Sequence, residues 1–279
     1  MDSIAPPLSR QSRARQPFAL HAADYALPGH ISLSIAASTG STNSDLLALA
    51  RSGGLPGAES GKVTVRIAHD QTAGRGRQGR AWHAPGGTSL LMSAACVRKE
   101  PVQQLGAITL AFGIAAAQAL RDHAVPAQLK WPNDVLLNGA KLAGILVESV
   151  STRDGIAIVA GIGVNGVMDA QARGACGQPV AALEDALDLT PDSAARVGRS
   201  VICAFADVLR APYLASLADV QAHFAKFDAL RDREVVLFAN GTQVGAGYAL
   251  GVDAHGHLLV REGGAVRRYV SGEVSLRAA

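Results

Sequence analysis

Residues 129–164 read LKWPNDVLLNGAKLAGILVESVSTRDGIAIVAGIGV. Four apolar runs (129–131, 135–137, 142–150 and 156–164) are separated by short polar or glycine breaks. Runs this short, bounded by turn residues, predict strands rather than helices. Asn138-Gly139 is the dipeptide that favours a tight hairpin turn, so two of these strands are expected to pair across it. Working outward toward the N-terminus, Pro101 opens the longest helical segment, with Leu105, Ile108, Phe112, Ala115, Ala116, Ala119 and Leu120 at helical spacing and Pro126 closing it. Further strands are expected at 31–35, 63–67 and 89–97. Ser41-Thr42-Asn43 precedes a short apolar helix that any of the three can cap. Toward the C-terminus, one helix carries Val197, Val201, Phe205, Val208 and Leu209, and another carries Val220, Phe224 and Phe227. After Leu230 the helical period vanishes. Short strands broken at Asn240-Gly241, His255-Gly256 and Gly263-Gly264 suggest a small β-barrel appended to an α+β domain. The expected organisation is a flexible tail over 1–29, the α+β domain over 30–230 and the barrel over 231–279.

Composition narrows the possible functions. Of the 279 residues, 48% are hydrophobic and 18% charged, which excludes a mainly disordered chain. No apolar run approaches the roughly 20 residues of a membrane-spanning helix, and residues 1–29 hold no apolar core of a secretory signal. The net charge of +3 is too mild to imply nucleic acid by itself, so any functional positive charge must be local. Cys96, Cys176 and Cys203 lie far apart with no CxxC pairing, as buried cytoplasmic thiols do.

Local positive charge is densest at Gly74-Arg75-Gly76-Arg77-Gln78-Gly79-Arg80. Glycine lets the backbone approach a ligand, and arginine offers planar donors to carboxylate or phosphate. The stretch also fits GxGxxG, as does Gly161-Ile-Gly163-Val-Asn-Gly166. Neither opens an uninterrupted helix, so neither makes a dinucleotide fingerprint. Gly61-Lys62-Val63 likewise fails as a P-loop. In Lys130-Trp131-Pro132-Asn133-Asp134, the oxygens of Asn133 and Asp134 suit a hard cation such as Mg²⁺, although on composition alone a plain turn is the stronger reading. Lys141 begins a strand in which Gly144 signals close approach by a ligand or another backbone. Together these segments supply several cations and one Mg²⁺-suited carboxylate. That set fits an anionic substrate joined to a nucleoside triphosphate, because two anions approach each other only where cations offset their charge.

In this order, Ser41-Thr42-Asn43, Gln71 with the 74–80 loop and Trp82, Lys130 to Asp134, Lys141-Leu-Ala-Gly-Ile-Leu-Val-Glu148, Gly161-Ile-Gly-Val-Asn165 and Gly272-Glu-Val-Ser-Leu-Arg277 resemble the biotin protein ligases (the BirA family). The resemblance implies a catalytic domain akin to class II aminoacyl-tRNA synthetases, with a mixed β-sheet and flanking helices, followed by an SH3-like barrel. It implies biotin contacts at Ser41, Thr42, Asn43, Gln71, Arg75, Gly76, Arg77, Lys141 and Gly144. The ATP or adenylate side falls to Arg77, Arg80, Trp82, Lys130, Asn133 and Asn165. Lys141, Arg77 and Asp134 take the catalytic roles, with Asp134 on Mg²⁺. The implied reaction forms biotinyl-5'-AMP and passes biotin to a lysine of a biotin carboxyl carrier protein, in the cytoplasm and without a membrane; a homodimer stays open. Many bacterial relatives carry an N-terminal helix-turn-helix, and only about 30 residues precede Ile31, so neither repressor activity nor specific DNA binding is expected. Two competing readings are a lipoate–protein ligase, disfavoured by the Arg/Gly loop and the barrel, and a nucleic-acid module using Arg75, Arg77 and Arg80 with Trp82 stacking, disfavoured by the mild net charge.

Overall fold

A computed structural model describes residues 16–82, 84, 86–99, 105–211, 219–239, 241–270 and 275–278. Seven strands form the larger sheet: β1 (Ile31–Thr39), β2 (Val63–Gln71), β3 (Ser89–Arg98), β4 (Ala127–Lys130), β5 (Asp134–Leu137), β6 (Ala140–Thr152) and β7 (Gly155–Asn165). Their spatial order is β1-β2-β3-β7-β6-β5-β4. Only β1 and β2 run parallel; the other neighbours are antiparallel. The stretch that opened the sequence reading is therefore the β4 to β7 meander, turned at Asn138-Gly139 as expected, with both residues at positive φ. A β-bulge between Val135 and Leu136 shifts the β5–β6 register.

Strand alternation sends side chains to two different cores. On one face Leu90, Met92, Ala94 and Cys96 of β3 and Ile158, Ala160 and Ile162 of β7 join the main core. There they meet helices α2 (Leu105–Arg121) and α4 (Pro191–Arg210), between which the short α3 (Ala170–Ala175) lies in chain order. Phe112 of α2 and Phe205 of α4 pack with ring centroids 4.8 Å apart. On the opposite face Ala95, Val97, Ala157 and Val159 meet Leu46, Leu47 and Ala50 of helix α1 (Thr42–Arg51). Helix α4 starts on a Thr190 cap that accepts from the Ser193 backbone N–H, with Pro191 at its first position. Pro101, expected to open α2, lies outside the described residues.

Helix α5 (Val220–Ala225) leads into the smaller sheet, which is all antiparallel in the order β11-β10-β9-β8-β12. Its strands are β8 (Glu234–Ala239), β9 (Thr242–Val252), β10 (Leu258–Glu262), β11 (Ala265–Tyr269) and β12 (Ser275–Ala278). Of the expected breaks in this region, Asn240 lies outside the described residues, as does the start of the C-terminal motif at Gly272. No helix among the described residues is long and apolar enough to cross a membrane.

The segment expected to be a flexible tail is fixed from Gln16 onward. Phe18 and Tyr25 are each 1% exposed and enter the main core. The Phe18 amide donates to the Gly87 carbonyl, and His69 Nε2 lies 2.9 Å from the Leu20 carbonyl. Tyr25 lies against Gly198 of α4. Burying one large apolar side chain stabilises by roughly 1.5–3 kcal/mol, enough to order a short strap against the entropy of a few residues.

Candidate functional site

The face of the sheet shared with α1 becomes bare beyond Ala157 and Val159. By alternation Gly161 and Gly163 of β7 lie on it, and Gly144 of β6 pairs with Gly163. The indole of Trp82 lies on this floor. A Cβ built on Gly163 would come 2.5 Å from Trp82 Cε2, and one on Gly144 would come 3.1 Å from Cζ3. Any larger residue at Gly163 would therefore push the ring away. A Cβ on Gly161 would run into the Asn43 side-chain oxygen. Trp82 Nε1 is buried without a hydrogen-bond partner among the described residues, and Lys141 Nζ lies 5.6 Å from the ring centroid, within cation–π range.

Trp82 reaches the floor because the Arg/Gly loop folds as a narrow hairpin. The Trp82 amide donates to the Gly74 carbonyl and the Gly76 amide to the Arg80 carbonyl, with Gln78 and Gly79 turning at positive φ. The hairpin sends its arginines to different partners. Arg75 Nη2 lies 3.1 Å from Glu148 Oε2 and 3.2 Å from Ser44 Oγ. Arg77 Nη1 donates to Asn133 Oδ1 at 3.4 Å. Burial pulls the Arg77 guanidinium below its ordinary value, an effect that Asp134 opposes and Arg80 adds to. Arg80 is exposed and reaches only Gln78 Oε1 among its described hydrogen bonds, so the hairpin points it away from the floor.

A line of buried hydroxyl and amide groups joins α1 to the same face. Ser41 holds the N-cap position of α1, yet its hydroxyl makes no cap. Gln71 Oε1 instead accepts from the Thr42 backbone N–H at 2.7 Å. Thr42 Oγ1 lies 2.7 Å from Ser93 Oγ, Ser93 donates to Asn43 Oδ1 at 2.6 Å, and Asn43 Nδ2 donates to Glu148 Oε2 at 2.8 Å. Ser93 uses its proton on Asn43, and the single Thr42 hydroxyl proton has two acceptors in reach, Ser93 Oγ and Gln71 Oε1 at 3.1 Å. Ser93 and Glu148 were not among the expected site residues. Ser93 is hidden in the run Ser89 to Val97, which reads as a plain buried strand; only its parity with Ala95 reveals the face it occupies.

On the far side of the floor, Lys141 Nζ and Asp134 Oδ1 form an ion pair at 2.7 Å, with both side chains less than a fifth exposed. Asn133 Nδ2 donates to the Ile145 carbonyl, fixing the amide whose oxygen meets Arg77. Asn165, 5% exposed, donates from its side-chain amide to the carbonyls of Ala181 and Lys141, holding the backbone behind the lysine. Lys130 ends β4 opposite Asp134. Trp131, 2% exposed and not among the expected site residues, donates from Nε1 to the Gly256 carbonyl of the small sheet at 3.0 Å. Among the described residues no group of three or more His, Cys, Asp or Glu side chains could hold a metal ion; Asp134 stands as a single carboxylate. One carboxylate is what Mg²⁺ commonly takes from a protein when substrate phosphates supply the rest, so Asp134 fits a cation arriving with a triphosphate and not a resident one. Three cations thus surround one glycine floor, two of them already met by carboxylates. Among the described residues Arg77 makes no ion pair: it donates to the Asn133 amide oxygen and feels the Asp134 carboxylate only through space, so it is the one best placed to take an anion.

Residues 37–165 match the model of the biotin/lipoate A/B protein ligase family. The chain is 34% identical over 221 residues to the bifunctional ligase/repressor BirA of Escherichia coli, covering 76% of this chain and 66% of that protein. It is 42% identical over 169 residues to the biotin–[acetyl-CoA-carboxylase] ligase of Mycobacterium tuberculosis, covering 59% of this chain and 58% of that one. The match thus spans just under two thirds of the first and less of the second. The structure of the biotin protein ligase from Aquifex aeolicus in complex with biotin and ATP superposes with a TM-score of 0.66 at 22% identity, over 89% of this chain and 99% of that one, which shows a shared fold. Over residues 37–165 this chain is therefore similar to the biotin/lipoate A/B protein ligase family.

Proposed function

We propose that this chain is a biotin–protein ligase, with a class II synthetase-like catalytic domain over residues 30–230 and an SH3-like barrel over 231–279. The observation that carries the reading is the glycine floor at Gly144 and Gly163, with Trp82 lying on it and Arg75, Arg77 and Lys141 around it. The indole itself fills the flat glycine floor, and the cations at its margin suit a carboxylate that must meet a phosphate. Sequence identity to a named biotin–[acetyl-CoA-carboxylase] ligase supports the same assignment.

In the first half-reaction a biotin carboxylate oxygen attacks the α-phosphorus of ATP, the α–β bridging P–O bond breaks, and pyrophosphate leaves. Arg77 and Lys141 offset the approach of two anions, the larger part of the barrier a protein can lower by fixed charge. Ser41, Thr42, Asn43 and Gln71 would orient the neutral end of biotin, since Thr42, Asn43 and Gln71 already share one polar network and the neighbouring Ser41 hydroxyl is not spent on a helix cap. Mg²⁺, held by Asp134 and the phosphates, would supply further charge. In the second half-reaction a lysine amine of the carrier protein attacks the acyl carbon, AMP leaves, and the amine loses its proton. The Arg/Gly hairpin and Trp82 would cover the mixed anhydride and keep water from it. The deciding measurement is ATP–pyrophosphate exchange with biotin, with lipoate and with neither. Exchange with biotin alone is expected. Exchange driven by lipoate would reassign the substrate, and none with either acid would overturn a ligase reading.

A further inference from the structure

Trp131 links the nucleotide-side motif to a specific backbone atom of the small sheet. Its indole N–H donates to the Gly256 carbonyl, 125 residues further along the chain. That carbonyl belongs to the turn between β9 and β10, and the turn is tightly made. The Asp253 amide donates to the His257 carbonyl and the Gly256 amide to the Asp253 carbonyl. Asp253 Oδ1 accepts from the backbone N–H groups of His255 and His257, while Oδ2 lies 3.0 Å from Arg268 Nε and 3.1 Å from His257 Nδ1. Gly256 sits at φ +78°, and a Cβ there would lie 2.9 Å from the Ala107 Cα, so the turn is wedged against the start of α2. Two residues beyond Trp131, Asn133 meets Arg77, and Asp134 follows with Lys141.

We infer that this turn positions the nucleotide side of the site, and that Trp131 is the positioning residue through which it acts. The inference rests on the proposed activity and adds a division of labour to it. The small sheet fixes Asn133 and Asp134, the partners of Arg77 and Lys141, while the part of the biotin side built from α1, β2 and β3 is fixed without it. Loss of the contact therefore weakens the use of ATP far more than the binding of biotin.

Three variants test this. Trp131→Phe keeps most of the buried ring and removes the N–H. Asp253→Ala opens the turn from the other side of the contact. Asp253→Asn retains an oxygen for the two backbone N–H groups and serves as the conservative rescue. In biotin-dependent pyrophosphate exchange, Trp131→Phe and Asp253→Ala are expected to raise the KM for ATP about ten-fold, the size of one lost buried hydrogen bond, with a smaller change in kcat. The biotin Kd, measured calorimetrically without ATP, should stay within about two-fold, Asp253→Asn should resemble wild type, and the Trp131→Phe/Asp253→Ala double variant should be no worse than the poorer single one. An ATP KM within about two-fold of wild type in both single variants overturns the inference, as does a biotin Kd that weakens in step with it. Wild-type protein with no biotin-dependent exchange would instead strike down the proposed activity.

Discussion

Arg75 and Lys141 each form an ion pair with a carboxylate, whereas Arg77 among the described residues donates to the oxygen of Asn133 and feels Asp134 without an ion pair. The three cations are therefore unequal toward an incoming anion. For Arg75 the ligand must compete with Glu148, and for Lys141 with Asp134, so part of each new contact replaces an old one. Arg77 gains a charge-assisted bond outright, and its burial makes that bond stronger. Arg77→Ala should slow adenylate synthesis and weaken adenylate retention by about ten- to hundred-fold, from roughly 1.5–3 kcal/mol per contact of this kind. Rates and affinities within about two-fold of wild type would show that the guanidinium does not reach the ligand. Lys141→Ala strips a largely buried carboxylate of its cation as well as removing the cation from the substrate. Exchange should fall by at least ten-fold, by loss of a charge-assisted contact of roughly 1.5–3 kcal/mol, and the thermal midpoint should fall too, because Asp134 is left buried without its partner. A large drop in midpoint with unchanged exchange would make the lysine a structural partner of Asp134 and nothing more.

The glycine floor and the Arg/Gly hairpin are shaped for each other, and the sequence displayed only part of that fit. Gly144 inside an apolar strand was legible as a close approach, because a glycine there weakens a strand without compensation. Gly161 and Gly163 were read as a poor dinucleotide fingerprint. Their common parity, which places both on one face, becomes informative only once β7 is known to pair with β6 in the observed register. Elements with strong periodicity, such as α2 and the 129–164 strands, were legible in type and near their true bounds. The strap over 16–29 was not, since Phe18, Leu20 and Tyr25 are spaced irregularly among prolines and polar residues and acquire a partner only from distant Gly87, His69 and Gly198. The fit between floor and ring can be tested with Gly163→Ala. The added methyl would overlap the indole at Cε2, so Trp82 must lift off, carrying the hairpin with it. Lifting should lower biotin affinity by about ten-fold or more, on the order of overpacking costs of 1–3 kcal/mol, in a protein whose circular dichroism is unchanged. Unaltered affinity would mean that the ring leaves the floor in the working enzyme anyway.

The two sheets meet along a short seam in which the backbone of Leu129 bonds to Phe227 and Ala229, tying β4 of the large sheet to the segment that leads into the small one. Asp228 lies in this seam. Its Oδ1 accepts from the Leu230 N–H, but Oδ2 is buried with no hydrogen-bond partner. Burial is the main cause holding the Asp228 carboxyl above its usual range, opposed by the Leu230 N–H and the nearby Arg231. The folded chain therefore binds this proton more tightly than the unfolded chain does. Ionisation then works against folding: the cost is absent well below the unfolded carboxylate value and is complete once pH has risen above the folded one. Asp228→Asn keeps the oxygen that faces Leu230 and removes the charge, and a buried neutral amide without a partner is cheaper than a buried carboxylate without one. The variant should therefore melt higher than wild type at pH 7 and lose most of that advantage as pH falls into the acid range where Asp228 is protonated in both states. Because the seam also carries the strand that ends in Lys130, the gain should appear in the joint unfolding of both sheets as a single transition. A variant that melts below wild type at pH 7, or that keeps the same offset at every pH, would show that the Asp228 charge stabilises the seam through Arg231 instead of opposing it.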